Sequence, residues 1–138
     1  MLAVTSYPQD YIDECRARIE AQVAAYRGLV AAAGDGGTSA VEAFEPQFFN
    51  HLALVLDHCF AHRLRGVEGK DGNPLNEVRM LGNAILRNQG ILAADKTIRY
   101  KPETSVLKLR IGDEVRLDEA RFLLLAKAFF AEIEQKFL

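Results

Sequence analysis

All three histidines of the chain lie within one short stretch, at positions 51, 58 and 62. If this stretch is helical, each residue turns the chain by about 100°, and the three side chains point within about 40° of one another. His58 and His62 are then one turn apart, a spacing at which two imidazoles can share a metal ion. The pattern predicts a divalent-metal site on His58 and His62. His51 is the less favoured candidate, because it lies too far along the helix axis.

Two histidines do not complete such a site, since catalytic zinc usually has three protein ligands. The third would come from Asp57, Glu77 or a carboxylate on a neighbouring helix. No Glu-x-x-His pair of the kind that di-iron bundles use is present. The alternative is that the histidines lie partly exposed at a bundle edge or an oligomer interface, where their contacts would depend on pH.

The glycine-rich segment 66–74 is the second place where chemistry is expected. Backbone N–H groups beside the start of the next helix can hold an anion. The side chains predicted to assist are Lys70, Arg63, Arg65 and Asn73. The segment matches no common phosphate-binding glycine motif. The alternative is therefore a tight helix connection, in which glycine supplies positive φ and Asn73 caps the next helix.

The other reactive groups indicate no particular reaction. Cys15 and Cys59 each fall in an apolar helical pattern, which favours two buried, reduced thiols over a disulfide or a zinc site. No nucleophile motif is present. Residues 95–116 carry only a small excess of basic side chains, so nucleic-acid binding is not expected. Whether the protein is an enzyme stays open, and a non-enzymatic role is favoured.

Four helices are predicted to position these residues. The first spans 9–33 and ends at a run of glycines, and the second runs from near Pro46 to about Arg65. Its wide apolar arc is typical of a central helix. The third starts at Pro74, behind the cap Asn73, and stops at Gly90. The last spans 119–137 behind Asp118, which is expected to cap it.

Between the third and fourth helices the apolar pattern changes from helical to alternating. Residues 98–100 and 107–111 alternate in this way, and Gly112-Asp113 is typical of a two-residue turn into 114–117. The pattern predicts a small antiparallel β-hairpin, with 98–100 as a candidate third strand. The fold class is thus mainly α (α+β): a four-helix bundle-like domain with a β-hairpin inserted between helices 3 and 4.

The 138 residues are predicted to form a single domain, 1–138, with a formal net charge of −2. That charge gives no general attraction to nucleic acid, and no apolar run is long enough to span a membrane. The absence of a secretory pattern near the start favours a cytoplasmic location. The broad apolar surface of the last helix, at 122–125 and 129–130, favours a homodimer. A self-associating binding or assembly module is therefore the expected function.

Two segments carry a family resemblance: GKDGNPLNEV at 69–78, and IGDEVRL with AFFAEIE between 111 and 134. They resemble a family of bacterial proteins that has no assigned activity, over roughly residues 48–138. The resemblance implies a cytoplasmic bacterial protein. It brings no catalytic motif, so it implies no reaction.

Overall fold

The computed structural model describes residues 3–138 and is built from α-helices. They are α1 (Gln9–Ala33), α2 (Thr38–His58), α3 (Arg65–Glu68), α4 (Pro74–Arg87) and α5 (Glu119–Phe137). Short 3-10 turns lie at Asp35–Gly37 and Pro102–Thr104. Within the described part of the chain, no helix has the length and apolar character that a membrane crossing requires.

Helix α2 lies at the centre of the core, with α1 antiparallel to it on one side. The Tyr11 hydroxyl near the start of α1 donates to the Cys59 carbonyl just beyond the end of α2, at 2.5 Å. Farther along α1, Tyr26 stacks on Phe48, with ring centroids 5.2 Å apart. Tyr11 therefore lies beside the end of α2 and Tyr26 beside its middle, so α1 and α2 run in opposite directions.

Helix α5 packs behind α2 and runs parallel to it. Phe49 contacts Phe122, and Phe60 contacts Phe129 two turns farther along, with centroid distances of 5.5 and 5.8 Å. These four rings are fully buried. Aromatic pairs of this kind supply much of the buried apolar surface of a small domain.

Helix α4 flanks α2 on the side away from α1. It begins as predicted at Pro74, and the Asn73 side chain caps it by accepting the Asn76 backbone N–H at 3.1 Å. A Cβ placed on Gly82 would lie only 3.4 Å from Leu54 Cδ2, so glycine permits the close approach of α4 to α2. The predicted bounds of α1 and α5, and the Asp118 cap of α5, are also present.

The predicted start and end of α2 are wrong. The helix begins at Thr38, directly after the 3-10 turn, and continues through Pro46. A proline in a helix removes one backbone hydrogen bond, and the packing of Phe48 and Phe49 on Tyr26 holds the helix together around it. At the other end, residues 59–62 leave the helix in tight turns.

The predicted β-hairpin is also wrong, because residues 88–118 contain no strand and only isolated bridges, at Ile91 and Arg99. The backbone groups that a hairpin would pair have other partners, among them the Gly90 carbonyl, which accepts the Val115 N–H at 2.7 Å, and side chains of the helices. Asn50 of α2 donates to the Val115 carbonyl at 2.8 Å and accepts the Leu117 N–H at 3.0 Å. The fold is therefore helical, with a long irregular segment in place of the hairpin.

The alternating pattern nevertheless identified several side chains that face the core. Ile98, Val115 and Leu117 are buried, whereas Ile111 is 49% exposed. Lys108 has a φ of +56°, which interrupts an extended chain at this point. The alternating pattern therefore indicates which side chains point inward. It does not indicate how the backbone groups of the segment are hydrogen-bonded.

Glu77 of α4 anchors this irregular segment. Its carboxylate is buried and accepts the backbone N–H of Val106 at 2.8 Å and of Leu107 at 3.0 Å. Burial raises the pKa of Glu77 above its ordinary value of 4.5, and this effect outweighs the two hydrogen bonds, which lower it. The folded state therefore binds the Glu77 proton more tightly than the unfolded chain does.

This shift predicts how stability depends on pH. A raised folded-state pKa contributes stability that is complete below the unfolded value of 4.5 and is lost as pH rises through the folded pKa. Subtracting the free energy of unfolding of Glu77→Gln from that of the wild type, measured by urea denaturation, should give a difference that falls as pH rises from about 4 to about 8. A difference that stays level or grows would contradict the assignment.

Candidate functional site

A groove of about 970 Å³ crosses the outer face of α2, between α1 and α4. Leu54, Val55 and His58 of α2 form its floor. Its walls are Tyr11 and Arg18 of α1 on one side and Arg79, Gly82, Asn83, Leu86 and Arg87 of α4 on the other. Asp57, Cys59, Arg65 and Asp95 also line it. We call this the arginine groove.

Helical spacing places the α4 side chains along the groove. Arg79, Asn83 and Leu86 are separated by four and three residues, which puts them on one face of a helix. The neighbouring residues Val78 and Leu81 are buried in the core. One amphipathic helix therefore packs its apolar face inward and presents arginine and asparagine to the groove.

Behind the groove lies Glu68, a carboxylate that is fully buried. Its Oε2 atom accepts from Arg79 Nη2 at 2.6 Å and lies 3.2 Å from Arg63 Nε. Arg65 Nε is 3.8 Å from the same oxygen. Three guanidinium groups therefore converge on one carboxylate. We call these three arginines, Glu68 and Asp57 the Glu68 cluster.

Arg63 is the buried cation of this cluster. Its guanidinium donates to the Phe60 carbonyl at 3.1 Å, the Leu75 carbonyl at 3.2 Å and the Asp57 carboxylate at 2.9 Å. It also lies over the Phe129 ring, 5.5 Å from the centroid. A buried charge is tolerated only when it is paired and hydrogen-bonded in this way. The contact with the Phe60 carbonyl also accounts for the tight turn beyond α2.

The backbone of Glu68 is fixed as firmly as its side chain. Its carbonyl accepts Lys136 Nζ of α5 at 2.9 Å and Asn73 Nδ2 at 2.9 Å. The four-residue helix α3 is thereby tied to both α4 and α5. Arg65 and Arg79 are held at one end of the arginine groove as a consequence.

Arg18 and Arg87 provide the uncompensated positive charge. Arg18 has only a long contact with Glu14, 3.9 Å between two exposed side chains, and such pairs are weak. Arg87 forms no ion pair with any residue in 3–138. The groove also contains two carboxylates: Asp57 is paired with Arg63, and hydrogen bonds from Thr97 lower the pKa of Asp95.

The thiol in the groove is not an activated nucleophile. Cys59 is half-buried, Cys15 is buried, and both thiols are free. Burial raises the pKa of Cys59 to about 11. Because the thiolate is the reactive form, this shift works against nucleophilic catalysis at neutral pH.

Only His51 and His58 of the three histidines lie in α2. His51, His58 and His62 are all exposed, and His62 lies in the turns beyond α2, so the helical spacing that predicted a shared ion is lost. His58 lines the arginine groove, and His51 lines a neighbouring one. In the described residues no three His, Cys, Asp or Glu side chains are grouped to hold a metal ion.

The proposed third ligands have other partners. Asp57 pairs with Arg63, and Glu77 holds the segment around Val106. The structure thus accounts for both carboxylates without a metal ion.

Of the residues predicted to bind an anion near the glycine segment, Arg63 and Asn73 instead form bonds within the fold. Arg63 is buried against Glu68, and Asn73 caps α4 while its amide donates to the Glu68 carbonyl. Lys70 is exposed, and Arg65 points into the arginine groove. Of the four, only Arg65 lines the arginine groove.

Sequence reasoning missed Glu68, Arg79, Arg18 and Arg87. Glu68 stands between Gly66 and Gly69, in the segment for which the alternative prediction was a tight helix connection. The one available signal was an acidic residue close to Arg63 and Arg65 in sequence. Arg79 lies eleven residues beyond Glu68, and only the fold brings them together.

Comparison of the chain with protein-family models, with characterised proteins and with solved structures found no match. The case for function therefore rests on the geometry of the site.

The Glu68 cluster yields a stability prediction. Glu68→Gln removes the buried negative charge on which Arg63 and Arg79 converge, so we expect the free energy of unfolding to fall by about 3 kcal/mol. Glu14→Gln is the matched control, because it breaks an exposed ion pair and should change that energy by about 0.5 kcal/mol or less. Urea denaturation measures both. Equal losses in the two variants would show that the cluster does not stabilise the fold.

Proposed function

We propose that the protein is a binding module that holds an anionic ligand in the arginine groove. The observation that supports this proposal is the placement of Arg18 and Arg87 on opposite walls of one groove. Neither has a short ion pair within the described chain, so both guanidinium groups can bind an incoming anion. Guanidinium groups suit carboxylate and phosphate, because their planar donors form two parallel hydrogen bonds.

The rest of the groove favours binding over reaction. Its polar residues include no activated nucleophile, since burial raises the pKa of Cys59 to about 11. Its volume of about 970 Å³ falls at the upper end of the range for ligand sites. Arg65 and Arg79 are held in place by Glu68, so part of the site is organised before a ligand arrives.

Titration with sodium tripolyphosphate at low ionic strength tests this proposal. We expect binding by calorimetry that weakens as salt is added, because exposed charges are screened. The double variant Arg18→Gln, Arg87→Gln should bind about tenfold more weakly, since each lost exposed charge contact contributes up to about 1 kcal/mol.

The double variant Arg110→Gln, Arg121→Gln is the matched control. Both of these arginines are exposed and lie outside the groove. It changes the net charge by the same amount, so it should bind tripolyphosphate as the wild type does. If both double variants lose affinity equally, binding depends on overall charge and the proposal fails.

Self-association is a second candidate function. The structure buries Phe122, Leu125, Phe129 and Phe130, so most of the apolar surface expected to drive it is already covered. Leu123 and Leu124 stay 38% and 58% exposed. Leu123 borders a groove of about 430 Å³ between α1 and α5, and this exposed apolar surface favours a homodimer.

Sedimentation velocity over a range of protein concentrations tests this second candidate. We expect a dimer whose fraction increases with concentration, and a shift toward monomer in Leu124→Glu, because a carboxylate would be buried without a partner. A wild-type protein that sediments as a monomer throughout rules this candidate out.

A further inference from the structure

We propose that the anionic ligand of the arginine groove is an amphipathic helix of a partner protein, with an apolar stripe flanked on both sides by acidic residues. This inference rests on the proposed function and identifies the chemistry of the ligand. It follows from the shape of the groove, from its exposed apolar residues and from the positions of its charges.

The shape of the groove matches a helix. Its floor is one face of α2, and its walls are α1 and α4. Both walls run antiparallel to α2: Tyr11 of α1 bonds Cys59, and Leu75 at the start of α4 bonds Arg63 beyond the end of α2, whereas Gly82 lies against Leu54. On the opposite side of α2, α5 already packs along the axis. A helix lying in the groove would cover α2 from the front as α5 covers it from behind. Helix-in-groove recognition uses this arrangement, with anchors at every third or fourth residue.

Exposed apolar side chains run along the groove. Val55 on the floor is 44% exposed, and Leu86 on the α4 wall is 67% exposed. A polyphosphate or another fully polar anion would leave both uncovered. An apolar stripe on the ligand would bury them, at roughly 25 cal/mol for each Å² removed from water.

The charged residues of the groove indicate which residues should flank the apolar stripe of the ligand. Arg18 rises from the α1 wall and Arg87 from the α4 wall, with the apolar floor between them. A helix in the groove therefore meets one unpaired guanidinium on each side. Acidic residues on both flanks of its apolar stripe would pair with them, as charged flanking positions do in coiled coils.

A strand-like ligand fits less well. An extended peptide gains most of its binding energy by adding to a sheet edge. The described residues form no strand, only isolated bridges such as Asp71 with Arg99. The groove offers rows of side chains in place of such an edge, which favours a helix.

Three fluorescent, helix-forming peptides test the inference by anisotropy. The first carries a leucine stripe flanked by glutamates, the second replaces the glutamates with lysines, and the third disperses the same leucines and glutamates around the helix. We expect the first to bind, and the other two to bind at least about tenfold more weakly, because like charges repel and a dispersed pattern has no stripe.

Groove variants locate the binding. Leu86→Glu places a negative charge on the α4 wall and should weaken the first peptide at least about tenfold. Leu29→Glu is the matched control, since Leu29 is an exposed helix residue outside the groove, and it should bind as the wild type does. Circular dichroism checks that both variants keep their helices. Equal affinities of the two variants would place binding elsewhere and overturn the inference.

Parallel titration with tripolyphosphate separates the two proposals. If tripolyphosphate binds with the expected dependence on Arg18 and Arg87 and the glutamate-flanked peptide does not bind, the helix inference is wrong and anion binding stands. If neither probe binds, both proposals are wrong. If the lysine-flanked peptide binds as well as the glutamate-flanked one, the charges of the groove do not select the ligand and the helix inference is again wrong.

Discussion

The buried carboxylate of Glu68 is the constraint on which the arrangement of the helices depends. A fully buried charge is costly unless every bond to it is made. Glu68 meets that condition by binding Arg63 beyond α2 and Arg79 on α4, while its carbonyl accepts Lys136 of α5. The four-residue helix α3 that carries it could not be stable alone. Its position is set by these partners, and they in turn are held by it.

The same cluster links stability to the groove. Arg79 and Arg65 line the groove and contact Glu68 from its outer side, so the cluster fixes the end of the groove while leaving its middle free. Buried ion pairs often contribute less to stability than apolar packing would. Glu68 also sets positions, because an apolar replacement for it would fill the space without holding Arg65 and Arg79 at the end of the groove.

The parts of the fold that follow from local rules could be predicted, and those that follow from distant contacts could not. Proline, glycine and capping residues define the bounds of α1 and α5 and the start of α4, and these agree with the structure, whereas α4 ends at Arg87, before the predicted stop at Gly90. The backbone groups that a hairpin would pair are instead bound by Asn50, Glu77 and the Gly90 carbonyl. These bonds join residues far apart in the sequence, and no short-range pattern reveals them.

The candidate site shows the same division in its histidines and arginines. His51 and His58 both lie exposed on α2, but of the two only His58 lies on the floor of the arginine groove. What this groove can bind depends on the helices that form its walls. They contribute Arg18, forty residues before His58, and Arg87, twenty-nine residues after it. A metal site on His58 and His62 would have required a third ligand, and the candidates Asp57 and Glu77 have other partners. An anion site requires only that two distant helices present arginine to the same space, and the antiparallel packing of α1 and α4 against α2 achieves this.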